Sequence, residues 1–135
     1  MDKRIKTGII CVGILLLSFS RPAAEVTATI YHAVPGQTDD TPDRTATNFK
    51  IDLENPEKHR IIAVSRDLEK IGFEMNTVVA VSNAGKMDGI YIIRDRMNRR
   101  WKRRIDFLVN RKMKGGKWNN VKIVKASERS VTIAN

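Results

Sequence analysis

The sequence predicts a mainly β fold, a single closed or nearly closed barrel of six to seven short strands with one short helix. Two observations support this class. Short runs of β-branched and apolar residues recur along the chain and are separated by turn-forming residues. Only one short segment has helical spacing and capping signals. A length of 135 residues leaves room for one domain.

The N-terminal segment predicts a targeting sequence rather than part of the fold. Basic residues precede an uncharged stretch over 9–19. This stretch of about eleven residues is too short to span a bilayer, which needs ~20. We therefore expect residues 1–24 to be a signal peptide or an N-terminal anchor, processed near Ser20 or Ala24. An uncleaved 9–19 segment would tether the chain to a membrane.

Export is the corresponding expectation for localisation, in the periplasm, the cell envelope or the surrounding medium. The single cysteine, Cys11, lies inside the targeting segment. A processed chain therefore has neither disulfides nor a cysteine nucleophile. The domain is expected over 25–128, with a C-terminal tail at 129–135, and its oligomeric state stays open.

The first half of the domain predicts three strands. Residues 26–34 are β-branched, and Pro35–Arg44 is turn-forming and polar, typical of an exposed loop. Residues 45–53 predict a second short strand. Residues 60–65 form a near-continuous apolar run, as in a strand that is buried on both sides.

The second half predicts the helix and four further strands. Ser65 is a plausible N-cap and Gly72 a plausible end for a helix of one or two turns over 65–72. Strands are then expected at 77–82, 89–94, 104–109 and 120–125, with turns at Asn83–Gly85 and Gly115–Gly116.

Positive charge is concentrated between the last two central strands. The chain has a net charge of +10, and seven of its cations crowd around Trp101 within residues 94–104. Cations interleaved with an aromatic ring suit a sugar bearing carboxylates, or a phosphate backbone with a stacked base. A solvated arginine-rich hairpin tip is the plain alternative, and nucleic acid fits an exported chain poorly.

Two aspartates are the candidates for acid–base chemistry. Asp95 ends one apolar strand, and Asp106 lies in the middle of the next between Ile105 and Phe107. Partial burial raises the pKa of such a carboxyl group and nearby arginines lower it, which suits a general acid. The alternative is a structural ion pair with Arg94, Arg103 or Arg104.

The order of these segments resembles the 3D domain family, which is named for three aspartates and is similar to the lytic transglycosylase A group and to secreted stationary-phase muralytic proteins. The eleven-residue interval from Asp95 to Asp106 carries much of the likeness. The matching pieces are Val26–Tyr31, Thr45–Asn48, Ile62–Val64, Asn76–Val79, Asp95 and Arg104–Asp106.

The resemblance implies a double-psi β-barrel that cleaves peptidoglycan glycan strands as a lytic transglycosylase, giving 1,6-anhydro-muramyl products without a cofactor. It implies Asp106 as catalytic acid and base and Asp95 as its partner. Further residues of the expected groove are Tyr31, Thr45, Thr47, Arg96, Asn98, Arg99 and Trp101. The alternative is a non-catalytic peptidoglycan-binding module on the same barrel.

The sequence departs from the family pattern at three places, and the mildest is Asn48, which stands where the family turn ends in glycine. Ser65 stands where the family has its first aspartate, and Asp67 is the candidate replacement, or else a charge at a helix N-terminus. The segment Arg96–Asn98 is bulky where the family has a small glycine loop. His32 and His59 have no metal-ligand spacing, so no metal site is expected.

Overall fold

The computed structural model describes residues 21–33 and 43–126. These residues form six strands, one short α-helix and two 3-10 turns, at Pro56–His59 and Gly85–Met87. The helix, α1, comprises Arg66–Glu69 and lies within the predicted 65–72 segment. The strands are β1 Ala23–Tyr31, β2 Ile61–Val64, β3 Val78–Ser82, β4 Gly89–Arg96, β5 Arg104–Leu108 and β6 Lys117–Lys125.

The strands close into a barrel in the order β1-β5-β2-β4-β3-β6. The pairs β1–β5 and β2–β4 are parallel, and the remaining neighbours are antiparallel. The β4–β5 connection joins two strands that flank β2, and the β5–β6 connection joins two that flank β1. The predicted class, a single small β-barrel with one short helix, is confirmed.

The barrel interior is filled by the inward face of every strand. On β5, Ile105 and Phe107 are fully buried, and Phe107 packs edge-on against Trp118 with ring centroids 5.7 Å apart. The interior cluster also contains Val26, Ala28, Ile62, Val64, Phe73, Val79, Tyr91, Ile93, Val121 and Ile123.

A second apolar cluster, called here the outer cluster, covers the outside of strands β1, β5, β2 and β4. Its members are Tyr31, Ala33, Ile51, Ile61, Ala63, Met97 and Leu108. The segment 43–51 supplies its lid, and this segment differs from the strand predicted over 45–53. It makes only a single bridge, between Arg44 and Lys50, because a tight turn intervenes.

The predicted boundary between residues 24 and 25 falls inside β1. Ala23 and Ala24 pair with Val124 and Ile123 on β6. One residue earlier, the Pro22 carbonyl accepts a 2.9 Å hydrogen bond from the Lys125 amide. Residues 22–24 are therefore part of the barrel wall.

Several expectations concern residues outside those that the structure describes. They are the targeting sequence over 1–20, most of the Pro35–Arg44 loop and the tail at 129–135. Within residues 21–33 and 43–126, no helix has the length and apolar character needed to cross a membrane.

Candidate active site

The two predicted catalytic aspartates lie in one row across the outer wall of the barrel. Ala63 on β2 is paired with Asp106 on one side and with Asp95 on the other. Thr29 on β1 extends the row beyond Asp106. Directly paired residues face the same side of a sheet, so both carboxyl groups flank the small Ala63 side chain. Their backbones are two strand spacings apart, or about 10 Å.

A bulge in β4 puts Asp95 on this wall. The pairing between β2 and β4 shifts between Ile62 and Ala63, which leaves Arg94 as the extra residue. Without the shift, strict alternation after the buried Ile93 would point Asp95 into the barrel interior. A bulge that re-aims a side chain is common beside functional sites.

Asp106 is half-buried and is held by a hydrogen bond from the Thr29 hydroxyl to its Oδ1. Burial raises the pKa of this carboxyl group, while the Thr29 hydrogen bond and the Arg104 guanidinium lower it less, so that the pKa is above its usual range. The side chain is therefore a better proton donor near neutral pH than an ordinary aspartic acid.

Asp95 is surrounded by donors that match an ionised carboxylate. Its Oδ1 accepts the backbone N–H groups of Ala46 at 3.2 Å and Arg96 at 3.0 Å. Its Oδ2 accepts the Tyr31 hydroxyl at 3.3 Å. An ionised carboxylate only accepts hydrogen bonds, so this arrangement suits a fixed negative charge.

Tyr31 connects the two aspartates electrostatically. Burial, the charge of Asp95, its hydrogen bond to Asp95 and the charge of Asp106 all hold the pKa of Tyr31 well above its usual range. The phenol is therefore neutral and serves as a hydrogen-bond donor to Asp95.

The turn at Thr45–Asn48 forms one side of the site. The buried Thr45 hydroxyl bonds the Thr47 hydroxyl at 3.0 Å and accepts the Phe49 amide at 3.1 Å. Asn48 has a positive φ of 61°. The predicted substrate contacts Thr45 and Thr47 thus shape the turn that presents the Ala46 amide to Asp95.

The β4–β5 loop forms the other side. The Arg104 and Arg100 guanidinium groups lie over the Trp101 ring, 4.1 and 4.8 Å from its centroid. Asn98 and Arg99 are exposed on the same loop, and the Asn98 side chain accepts the Arg100 amide at 3.1 Å. The Trp101 ring is therefore held between cations of the β4–β5 loop and the start of β5.

Two predicted site residues make contacts outside the aspartate row. The Arg96 guanidinium forms a two-pronged ion pair with Glu69 on α1, with both distances 2.7 Å. Asp67 accepts the Arg103 backbone amide at 2.9 Å and so fixes the start of β5. Burial alone would raise the pKa of Asp67, but hydrogen bonds from Ser65 and Arg103 lower it.

Several site groups were missed from the sequence. Thr29 lies two residues before Tyr31, so the alternation of side chains along a strand puts both on the same face. Its partner Asp106 depends on the parallel pairing of β1 with β5, which no local pattern indicates. The Ala46 amide and the Ala63 side chain carry no signal at all, because their role is purely positional.

Within the described ranges, no three side chains of His, Cys, Asp or Glu are grouped so as to hold a metal ion. Of the predicted groove residues, Asp106, Asp95, Tyr31 and the Thr45–Thr47 turn come together, and Trp101 borders them. Comparison of the chain with protein-family models, curated proteins and solved structures found no match.

Proposed function

We propose that this protein cleaves peptidoglycan glycan strands as a lytic transglycosylase, with Asp106 as the single acid and base. The observation that carries the proposal is the pair of carboxyl groups flanking Ala63 on an outward-facing wall. Their environments differ, because burial raises the pKa of one and three donors surround the other. Such divergence assigns acid and stabiliser roles in glycan-cleaving sites.

Asp106 performs both proton transfers of this reaction. In its protonated form it donates to the glycosidic oxygen as the C1–O bond of N-acetylmuramic acid breaks. The resulting carboxylate then takes the proton of the C6 hydroxyl, whose oxygen bonds to C1 and closes the anhydro ring. The raised pKa of Asp106 favours the starting, protonated form.

Asp95 supports the transition state without transferring a proton. Positive charge develops at C1 as the glycosidic bond breaks, and a fixed carboxylate stabilises that charge. The amides of Ala46 and Arg96 and the Tyr31 hydroxyl hold Asp95 in place before the reaction.

The test is incubation of the purified protein with peptidoglycan, followed by mass spectrometry of the soluble products. We expect anhydro-muropeptides from the wild type and none from Asp106→Asn, which should still sediment with insoluble peptidoglycan. Glu74→Gln, a change at an exposed carboxylate away from the row, is the matched control and should retain cleavage.

The alternative outcomes separate the competing functions. Products with ordinary reducing ends would indicate a hydrolase and rule out the single-acid mechanism. Wild-type cleavage by Asp106→Asn would remove its catalytic role. Co-sedimentation without any soluble product would favour a binding module that uses the exposed arginines of the β4–β5 loop, Arg99 and Arg100.

A further inference from the structure

A second bulge, in β6, opens a cavity that the proposed reaction does not use. The pairing of β1 with β6 shifts between Val26 and Ala28, which pair with Val121 and Trp118. Asn119 and Asn120 therefore both lie opposite Thr27, and Asn120 has a φ of 55°. The cavity beside them, called here the bulge pocket, has a volume of ≈ 320 Å³. Its lining residues are Glu25, Val26, Thr27, Lys102, Arg103, Asn119 and Asn120.

The polar groups of the bulge pocket are held by a hydrogen-bond network. The Arg103 guanidinium donates to the Glu25 backbone carbonyl at 3.3 Å. The Asn120 side-chain amide donates to the Glu25 carboxylate at 2.7 Å, and the Asn120 carbonyl accepts the Asn83 amide at 2.7 Å. The pocket is thus a preformed set of two cations, two amides and one carboxylate.

The bulge pocket lies close to the row of aspartates along β1. Thr27 precedes Thr29 by two residues on β1, a separation of about 7 Å along the strand. Thr27 is paired with Arg104, whose side chain stacks on Trp101. A polymer that runs along β1 past Asp106 therefore reaches the bulge pocket next.

We propose that the bulge pocket binds a carboxylate-bearing peptide segment attached to the glycan strand in the adjacent groove. The inference rests on the proposed function, since it takes the polymer in the groove to be peptidoglycan. Lys102 and Arg103 bind the peptide carboxylate, and the Asn119 and Asn120 side chains bind the neighbouring peptide groups. The pocket thereby selects strands whose peptides are still attached.

The charge pattern favours a peptide carboxylate over a phosphate. Glu25 lies among the cations, and its carboxylate would repel a doubly charged phosphate more strongly than a singly charged carboxylate. The same carboxylate accepts an N–H group, which a peptide supplies beside its acid group and a phosphate does not. Neutral amide side chains complement peptide carbonyl and N–H groups in the same way.

The test uses the tetrapeptide released from peptidoglycan, free of sugar, titrated into the isotope-labelled protein and followed by NMR. We expect shifts of the Asn119 and Asn120 side-chain amide signals. Lys102→Gln and Arg103→Gln should each weaken binding by about tenfold, because each removes a charge-assisted hydrogen bond. Lys86→Gln and Arg111→Gln remove the same charge from exposed positions elsewhere and should bind normally.

The use of both Lys102→Gln and Arg103→Gln separates a loss of binding from a loss of folding. Arg103 has a φ of 47°, so substitution there changes a strained position, whereas Lys102 has no positive φ. Equal loss in both variants, with thermal unfolding unchanged, supports the pocket. A peptide amidated at every carboxyl group should lose the binding.

The outcomes distinguish this inference from the proposed function. The free peptide has no glycosidic bond, so Asp106→Asn should bind it as the wild type does. Cleavage of peptidoglycan without peptide binding would overturn the bulge pocket alone. Displacement by inorganic phosphate at matched ionic strength, or equal binding by Lys102→Gln, Arg103→Gln and their controls, would overturn it as well.

Discussion

Thr29 and Asp106 lie 77 positions apart in the chain, yet their hydrogen bond tunes the proposed acid. Burial raises the pKa of Asp106, and the Thr29 hydroxyl opposes that rise by stabilising the carboxylate. The balance keeps the group able both to donate and to recover a proton. An acid whose pKa rose without limit would be a weak donor, so the opposing bond has a chemical use.

Removing the Thr29 hydroxyl should therefore raise the pKa of Asp106 further. We expect Thr29→Val to show this rise in an NMR titration that follows the Asp106 side-chain carboxyl carbon. Thr27→Val is the matched control, since Thr27 lies on the same strand face one row away. A pKa that is unchanged in Thr29→Val, or that rises equally in Thr27→Val, would contradict this assignment.

At the scale of the elements, the Thr45–Asn48 turn holds its shape through a left-handed residue. The positive φ of Asn48 is 61°, and the Asn48 amide donates to the Thr45 carbonyl at 2.8 Å. Asparagine adopts this conformation at lower cost than alanine, and glycine adopts it freely. The shape of this turn also fixes the position of the Ala46 amide, which donates a hydrogen bond to Asp95.

We expect Asn48→Ala to lower the free energy of unfolding by about 1 kcal/mol and Asn48→Gly to change it by less than about 0.5 kcal/mol. Urea unfolding of the three proteins measures both values. If the two variants were equally destabilised, the side chain of Asn48 rather than its backbone conformation would be responsible.

The ion pair between Glu69 and Arg96 joins α1 to the end of β4. Both partners are partly exposed, with side-chain exposures of 21% and 36%, so solvent screens their attraction. We expect a double-mutant cycle of Glu69→Gln and Arg96→Gln to give a coupling energy of about 0.5–1 kcal/mol, near the upper end for exposed pairs. The proposed cleavage of peptidoglycan should be unchanged in both variants.

This coupling should depend on pH in a defined direction. The hydrogen bond and charge of Arg96 lower the pKa of Glu69, with burial opposing them. The stabilisation is therefore complete above the pKa of glutamate in the unfolded chain, and is lost as the pH falls through the lower folded value. A coupling energy that persists in strong acid would exclude this pair as its source.

At the scale of the whole molecule, residues 22–24 complete the pairing of β1 with β6. Ala23 and Ala24 pair with β6, and Pro22 packs on Gly72, where an added Cβ would lie 2.7 Å from the Pro22 Cγ. Processing after Ala24 would remove these contacts, whereas processing after Ser20 would keep them all.

If the N-terminal segment is processed as the sequence predicts, we expect the resulting chain to begin at Arg21 rather than Glu25, and mass spectrometry of its N-terminal peptide measures this directly. Ala24→Arg, which spoils the second candidate site, should leave processing unchanged. Ser20→Arg should block it. A mature chain that begins at Glu25 would contradict this expectation.

The sequence determined the class of the fold and the face of β5 on which Asp106 lies. Alternation along 104–109 placed Ile105 and Phe107 inside and Asp106 outside, because the side chains of a strand alternate whatever its neighbours are. Apolar runs and turn residues located most strands for the same local reason. The strand predicted over 45–53 was wrong, because the buried side chains of this segment belong to the lid of the outer cluster and not to a strand.

The tertiary structure alone decided which groups meet. The bulge at Arg94 turns Asp95 outward, and the bulge at Asn119–Asn120 opens the adjoining pocket. The sequence likewise left Arg96 among the groove residues, whereas the fold pairs it with Glu69. Strand pairing and bulges depend on the register between segments that are far apart in the chain. Local residue patterns do not determine that register.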